Sequence, residues 1–277
     1  MSFSELSSEI QCAILKALNI TTEPDETDSQ QEEGPAPGTN FLGAVTKMRI
    51  AGQCLFFKTQ MKDEYMRKLF NCENLYKNEV MFYKRVLPRL PKISVVPLVF
   101  PEVIFAHPEI MVMMDLGEVG FKMCERGFCK PEIAKFVVRA LGAFHASSMS
   151  LRILEPNDYA MFRECIIETI YTPERAIHHA KLQIISKMVL QQIEPKFSNR
   201  PNILEKVRLI FQLPIEKINR LVTPEEADPY YAACHGDMWL NNMLFRFSQV
   251  NINLSIFLFI DLCFIKGHLA NLLKKKN

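Results

Sequence analysis

The spacing of hydrophobic residues changes from a helical to a strand period early in the chain. Between residues 4 and 18 the apolar side chains fall on one stripe, at Leu6, Ile10, Ile14 and Leu18, which predicts a short amphipathic helix. Two strand-like runs, 44–50 and 54–58, are separated by the turn residues Ala51-Gly52-Gln53. These runs predict two strands joined by a tight turn.

The patterns that follow predict a helix, two more strands and then a largely helical remainder. A helix is expected over 64–87 and is ended by Pro88, because proline does not continue a helix. Strand candidates follow at 95–99 and 110–114. From Pro131 onwards apolar residues recur at helical spacing, and further helices are expected over 173–193 and 203–221.

This order of elements predicts an α+β protein with two lobes. Residues 1–20 are expected to form an N-terminal helix, and residues 41–114 a small antiparallel sheet lobe with one helix. Residues 115–277 are expected to form a mainly helical lobe, with the ligand in the cleft between the lobes. Residues 21–40 contain six acidic residues, three prolines, two glycines and no basic residue, which is typical of a flexible linker.

The composition is typical of a globular cytoplasmic protein. The 277 residues are 48% hydrophobic and 23% charged, with a formal net charge of +2, so neither disorder nor a nucleic-acid-binding surface is indicated. The N-terminus lacks the pattern of a secretory signal, and no apolar run is long enough to span a membrane. Eight cysteines without metal-binding spacing favour reduced thiols in the cytosol.

The most informative residues are His235-Gly236-Asp237, Asn242, and Asp261 at the end of the apolar run 256–260. Phosphoryl transfer needs one carboxylate that receives the proton of the attacking hydroxyl, and an amide and a second carboxylate that hold Mg²⁺. We therefore interpret His235 and Asp237 as catalytic residues, and Asn242 and Asp261 as metal ligands. A metal hydrolase that uses His235 and Asp237 as ligands is the competing interpretation, although no second histidine cluster is visible. A purely structural role, in which Asp237 caps a helix at a turn, does not explain the presence of the second aspartate, Asp261.

Lys58 and Glu79 are the candidate residues for holding nucleotide phosphates. Lys58 ends the strand 54–58, where a lysine can also simply extend into solvent. Glu79 lies on the apolar stripe of the predicted helix, four residues after Leu75. Because an unpaired buried carboxylate is costly, Glu79 needs a partner. A strand lysine paired with a helix glutamate is the arrangement found in kinases.

Two other segments contain candidate cofactor-binding residues. The segment before the first strand has small or polar residues whose backbone amides can approach phosphate, at Gly38, Asn40 and Gly43. Residues 111–116, which include Asp115, are expected to connect the two lobes and to meet the adenine through backbone groups.

Together these residues resemble the ecdysteroid kinase-like family, within the wider group of choline and aminoglycoside kinases. The similar segments span nearly the whole chain, at 38–42, 57–59, 78–83, 86–88, 114–116, 142–147, 234–242 and 260–261. The resemblance implies a protein-kinase-like fold, ATP with Mg²⁺, and phosphorylation of a small-molecule hydroxyl such as that of an ecdysteroid. By position it makes Asp237 the catalytic base, Asn242 and Asp261 the metal ligands, and Lys58 the phosphate-binding residue with Glu79 as its partner.

The sequence departs from the family after Asp261. Leu262-Cys263 stand where the family usually has an aromatic residue and glutamine, and the chain ends sixteen residues after Asp261. The family continues for about 100 further residues, roughly another domain. We therefore expect a C-terminally truncated member. Both an active small-molecule kinase and an inactive protein that binds nucleotide or ligand without transfer fit this expectation.

Overall fold

The computed structural model describes eleven stretches of the chain. These are residues 2–21, 29–32, 43–92, 98–124, 130–169, 172, 176–211, 231–238, 240–247, 255–258 and 265–268. The α-helices in these stretches are α1 (Ser8–Ala17), α2 (Glu64–Phe70), α3 (Cys72–Met81), α4 (Pro131–Leu154), α5 (Pro156–Cys165), α6 (Ala176–Ile193) and α7 (Pro201–Phe211).

The strands form three sheets within the described residues. The largest has the order β1 (Ser29–Glu32), β2 (Gly43–Ile50), β3 (Gln53–Gln60), β6 (Ile110–Met114), β5 (Val103–Ala106). The second has the order β4 (Leu98–Val99), β10 (Ser255–Leu258), β9 (Met243–Arg246), β7 (Lys122–Met123). The third pairs β11 (Ile265–His268) with β8 (Tyr231–Cys234). An antiparallel sheet followed mainly by helices confirms the predicted α+β class.

Helix α1 covers one face of the large sheet, as its apolar stripe predicts. Ile10, Ile14 and Leu18 are buried against a layer of strand residues that includes Met48 and Phe57. Ser7 caps the helix, since its side chain accepts a hydrogen bond from the backbone N–H of Ile10. The helix therefore turns an open sheet face into a closed core.

The β2–β3 hairpin is confirmed in place, but its turn is shorter by one residue than predicted, because Gln53 belongs to β3. Ile50 pairs with Gln53, so the turn consists of Ala51 and Gly52 alone. Both residues have positive φ, 46° and 79°, which is the conformation that a tight hairpin turn requires. Glycine adopts this conformation without strain, whereas Ala51 adopts it under the constraint of the hairpin.

The helix predicted over 64–87 is wrong in its continuity. It is broken at Asn71, which has a left-handed conformation with φ 55° and ends α2. Asparagine tolerates this conformation better than other non-glycine residues. After α3 the chain continues as a π-helical turn, Phe82–Val86, and a 3₁₀ turn, Leu87–Arg89, which contains Pro88.

The acidic segment predicted as a linker is partly ordered into the sheet. Ser29–Glu32 form β1, which pairs antiparallel with residues 47–50 of β2. The remainder of residues 22–42 lies outside the described residues. The linker prediction is therefore corrected for these four residues, because backbone pairing with an open sheet edge does not depend on side-chain hydrophobicity.

The later predictions are confirmed where the structure describes them. Helix α4 begins at Pro131, α6 and α7 correspond to the two further helices, and β6 matches the strand over 110–114. Residues 95–97, 173–175 and 212–221 of the predicted elements lie outside the described residues. The sequence patterns missed α5, β5, β7, β8 and β11.

The second core joins α3 to the helical part of the molecule. Phe82, at the end of α3, is fully buried and its ring meets that of Phe144 on α4 edge-on, with centroids 6.0 Å apart. Phe162 on α5 is buried in the same cluster. These contacts place α3 between the large sheet and the helices, so that it contacts both.

Candidate active site

A buried ion pair connects β3 to α3. The Nζ atom of Lys58 lies 2.8 Å from Oε1 and 2.7 Å from Oε2 of Glu79. Their side chains are 6% and 5% exposed. The predicted contact between these two residues is thus confirmed, and its role toward a nucleotide stays a prediction.

Strand alternation explains why Lys58 faces α3. Leu55 and Phe57 of β3 belong to the core beneath α1, and Lys58 follows on the other face because successive side chains alternate. The hydroxyl of Tyr76, on α3, donates to the carbonyl oxygen of Lys58 at 3.1 Å. Burial, with a smaller contribution from the Glu79 carboxylate, raises the pKa of Tyr76 above its usual range. The phenol therefore remains a donor and fixes the backbone of Lys58.

The second group of candidate residues lies in the loop between β8 and β9. The Nδ2 of Asn242 donates to the carbonyl oxygen of Asp237 at 2.9 Å and to its carboxylate Oδ2 at 3.0 Å. The backbone N–H of Asp237 donates to Nδ1 of the buried His235 at 3.3 Å. Gly236 has φ 81°, a left-handed conformation that allows this close turn.

These hydrogen bonds fix the orientation of the side chains of Asp237 and Asn242. Nδ2 of Asn242 is used by the contact with Asp237, so Oδ1 is the amide atom that this contact leaves unused. Amide and carboxylate oxygens are ligands that Mg²⁺ prefers, and a role of Asn242 in holding Mg²⁺ stays a prediction. The contact of His235 is with the loop backbone, where its imidazole holds the position of Asp237. The predicted spacing of five residues therefore brings Asp237 and Asn242 into direct contact.

Helix α4 supports the loop from below. The Oγ of Ser148 accepts a hydrogen bond from the backbone N–H of Ala233, on β8, at 2.9 Å and donates to the carbonyl oxygen of His145 at 2.9 Å. Burial, with a smaller contribution from His235, lowers the pKa of His145 to about 4. Its Nε2 is buried without a hydrogen-bond partner in the described part of the chain. His145 is therefore neutral at neutral pH.

Asp115 caps the short helical turn Leu116–Val119 after β6. Its Oδ1 accepts from the backbone N–H of Gly117 at 2.7 Å, and its Oδ2 lies 2.9 Å from Nζ of Lys47, on β2. The buried carboxylate thus connects the end of β6 to β2. A role of Asp115 in binding a cofactor stays a prediction.

The remaining predicted residues divide into one that the structure describes and three that it does not. Gly43 begins β2, and a Cβ atom added there would lie 2.6 Å from the carbonyl oxygen of Thr59, so the pairing of β2 with β3 itself requires glycine. Gly38, Asn40 and Asp261 lie outside the described residues.

A sequence profile of the ecdysteroid kinase-like family matches residues 37–267. The matched range includes both the Lys58–Glu79 pair and the loop with Asp237 and Asn242. The chain belongs to the ecdysteroid kinase-like family. No protein of curated function has a matching sequence.

Two solved structures resemble this family member. The complex of APH(2")-IIa with streptomycin and ATP has 15% sequence identity and a TM-score of 0.39, over 95% of this chain and 74% of that chain. Spectinomycin phosphotransferase APH(9)-Ia, in complex with ADP and spectinomycin, has 13% identity and a TM-score of 0.38. This chain aligns over 83% of its own length with 62% of that protein.

Three residues that support the candidate site were not predicted from the sequence. Tyr76 and Ser148 hold the backbones of β3 and β8, and nothing in their local pattern indicates this role. Asn78 is buried beside Glu79, and a signal for it exists: a polar residue three positions after Leu75 on an apolar stripe needs a partner.

Within the described residues no helix is both long enough and apolar enough to cross a bilayer.

Proposed function

We propose that this protein transfers the γ-phosphoryl group of ATP to a hydroxyl of a small molecule, an ecdysteroid-like or related alcohol. The observation that carries the proposal is that one member of this family contains two arrangements. In the first, a buried lysine on a strand forms an ion pair with a glutamate on a helix. In the second, an asparagine donates a hydrogen bond to the aspartate five residues before it. Kinases use the first arrangement for phosphates and the second for the acceptor and Mg²⁺.

Lys58 supplies positive charge to the phosphates in this proposal. Glu79 holds the ammonium group at a fixed point, and Tyr76 holds the backbone behind it. A charge that is positioned before the substrate arrives needs no reorganisation during the reaction. The backbone amides near Gly38, Asn40 and Gly43 would contact the same phosphates. The segment around Asp115 would meet the adenine.

Asp237 acts as the base. Its carboxylate receives the proton of the acceptor hydroxyl as the hydroxyl oxygen bonds to the γ-phosphorus, and the bond from that phosphorus to the β,γ-bridging oxygen breaks, which releases ADP. Asn242 orients the carboxylate through Nδ2, and His235 positions its backbone. Asn242, through Oδ1, and Asp261 would hold Mg²⁺, which when bound neutralises phosphate charge.

We place this reaction in the cytoplasm. The six cysteines in the described residues are free thiols, as proteins of a reducing compartment usually have.

A transfer assay with γ-labelled ATP, Mg²⁺ and a panel of hydroxylated steroids tests the proposal. We expect labelled phosphate on at least one alcohol, and a decrease of about 10²–10⁴-fold in turnover for Asp237→Ala, with ATP binding retained. Glu205→Ala, which removes an exposed carboxylate on α7, is the matched control and should keep full activity.

Three outcomes would overturn the proposal. Transfer that is unaffected by Asp237→Ala would refute the assigned base. Nucleotide binding without transfer to any alcohol would identify an inactive binding protein. Phosphate release from esters without ATP would indicate a hydrolase.

A further inference from the structure

Asn78 forms a two-point hydrogen bond with a distant backbone segment. Its Nδ2 donates to the carbonyl oxygen of Ile167 at 2.7 Å, and its Oδ1 accepts from the backbone N–H of Ile167 at 3.1 Å. The side chain is buried, and the residue is 1% exposed. The amide therefore pairs with Ile167 much as a neighbouring strand would, which uses its donor and its acceptor together.

A second, longer bond ties the same helix to the same segment. The Nδ2 of Asn71, at the start of α3, donates to the carbonyl oxygen of Thr169 at 3.3 Å. Two side chains on one side of α3 thus hold residues 167 and 169, which directly follow α5. Together the contacts of Asn71 and Asn78 hold α3 at two points along its length rather than at one end.

The tethered segment is part of the body that carries the catalytic loop. Ile166 and Phe162 of the α5 region are buried with residues of α4. Ser148 on α4 is bonded to Ala233 on β8, the strand that leads into the loop. A continuous set of packed and bonded groups therefore runs from α3 to Asp237.

Asn78 and Glu79 lie next to each other on α3, so their side chains leave the helix about 100° apart. One side chain contacts Ile167 and the other Lys58. A rotation or shift of α3 that withdrew Glu79 from Lys58 would also break both bonds of Asn78. Leaving the buried amide of Asn78 without these hydrogen bonds costs free energy. A position of α3 in which Glu79 is separated from Lys58 is therefore unfavourable.

We propose that Asn78 is a positioning residue that keeps the Lys58–Glu79 pair permanently assembled and in fixed relation to the catalytic loop. In protein kinases the position of the corresponding helix is variable and controls activity. Here the helix is anchored to the helical body through Asn78. The inference rests on the proposed function, since it treats Lys58 as a nucleotide ligand.

A double-mutant cycle on ATP affinity tests this role. Asn78→Ala and Glu79→Gln should each weaken binding of ATP, by about tenfold for Asn78→Ala from the loss of two hydrogen bonds. The double variant should be no weaker than the Glu79→Gln variant, because both changes act through the same contact to Lys58. Asn157→Ala, at an exposed position on α5, removes the same amide group and should leave affinity unchanged.

Hydrogen exchange supplies a readout that does not depend on ATP. Asn78→Ala should speed exchange of amides in 72–81 and 166–169, with those of β2 and β3 unchanged. If Asn78→Ala fails to fold, Asn78→Ser serves the same purpose, since its shorter side chain cannot span both groups of Ile167.

The outcomes separate this inference from the proposed function. If Lys58→Ala leaves ATP affinity unchanged, the nucleotide site itself is wrong. If Lys58→Ala weakens binding and Asn78→Ala does not, only the positioning role is refuted. Additive losses in the double variant would also refute it, because they would show that Asn78 acts on ATP binding independently of Glu79.

Discussion

The Lys58–Glu79 pair and the Asp237–Asn242 loop achieve fixed geometry by opposite means. The first joins two charges that are 21 residues apart, on different elements and almost fully buried. The second joins residues five apart within one loop, through a neutral amide. A buried charge pair is coupled to folding, because removing one member leaves the other charge buried without a partner, which destabilises the folded state. A loop contact is local, so its loss should affect chemistry more than stability.

The largest effect that tests this comparison is expected for Lys58→Ala. The substitution leaves the Glu79 carboxylate buried without its ammonium partner, which should lower the free energy of unfolding by about 3–5 kcal/mol. Urea denaturation measures the loss, with Lys77→Ala on the exposed side of α3 as the control. A loss below about 1 kcal/mol would show that the pair is not coupled to folding.

Replacing both members of the pair should separate stability from binding. The combination of Lys58→Met and Glu79→Leu removes both charges and keeps the volume apolar, so most of the unfolding free energy lost in Lys58→Ala should return. ATP affinity should stay low, because the positive charge that we propose binds the phosphates is absent. Recovery of ATP binding in this double variant would contradict the role of Lys58.

The loop should respond in the opposite way to Asn242→Ala. Turnover should fall by about 10²-fold, because Asp237 loses its orienting donor and the proposed Mg²⁺ site loses an oxygen ligand. Unfolding free energy should fall by only about 1–2 kcal/mol, from two lost hydrogen bonds. Kinetics with varied Mg²⁺ and urea denaturation measure the two quantities, and Asn241→Ala is the adjacent control. A stability loss as large as that of Lys58→Ala would remove the contrast between the regions.

His145 should make the support of the loop sensitive to acid. Its pKa is about 4 in the folded protein, whereas an exposed imidazole has a pKa of 6.5, so the unfolded state binds the proton more tightly. The folded protein is therefore most stable, as far as His145 is concerned, above pH 6.5, and it loses about 3 kcal/mol of unfolding free energy as the pH falls to 4. His145→Gln should flatten this part of the curve of unfolding free energy against pH. An unchanged slope in His145→Gln would show that another group titrates.

Much of the fold near the site follows from local patterns. The β2–β3 hairpin is predicted by two strand-like runs on either side of Ala51-Gly52, and α4 by helical spacing after Pro131. The break at Asn71 was not predicted, because asparagine is compatible with both a helix interior and a left-handed turn. In the structure Asn71 also contacts Thr169, 98 residues away, which no local pattern contains.

In the candidate site, too, some features follow from local sequence patterns and others depend on contacts between distant segments. The pairing of Lys58 with Glu79 was predictable because a carboxylate on an apolar stripe needs a partner and a strand-end lysine was available. The sequence places Asp237 and Asn242 five residues apart, but their direct hydrogen bond was not predicted. Tyr76 and Ser148 were not predictable as supports of the backbone, because their partners become neighbours only after the chain has packed.

The sequence by itself determined which chemical groups are available and which of them lie within reach of one another along a strand, a helix or a single loop. Tertiary structure alone decided how those groups are held. Asn78 meets Ile167 across 89 residues and Ser148 meets Ala233 across 85. The physical reason is that a buried backbone amide or carbonyl must find a partner. Which side chain provides it depends on the packing of whole elements.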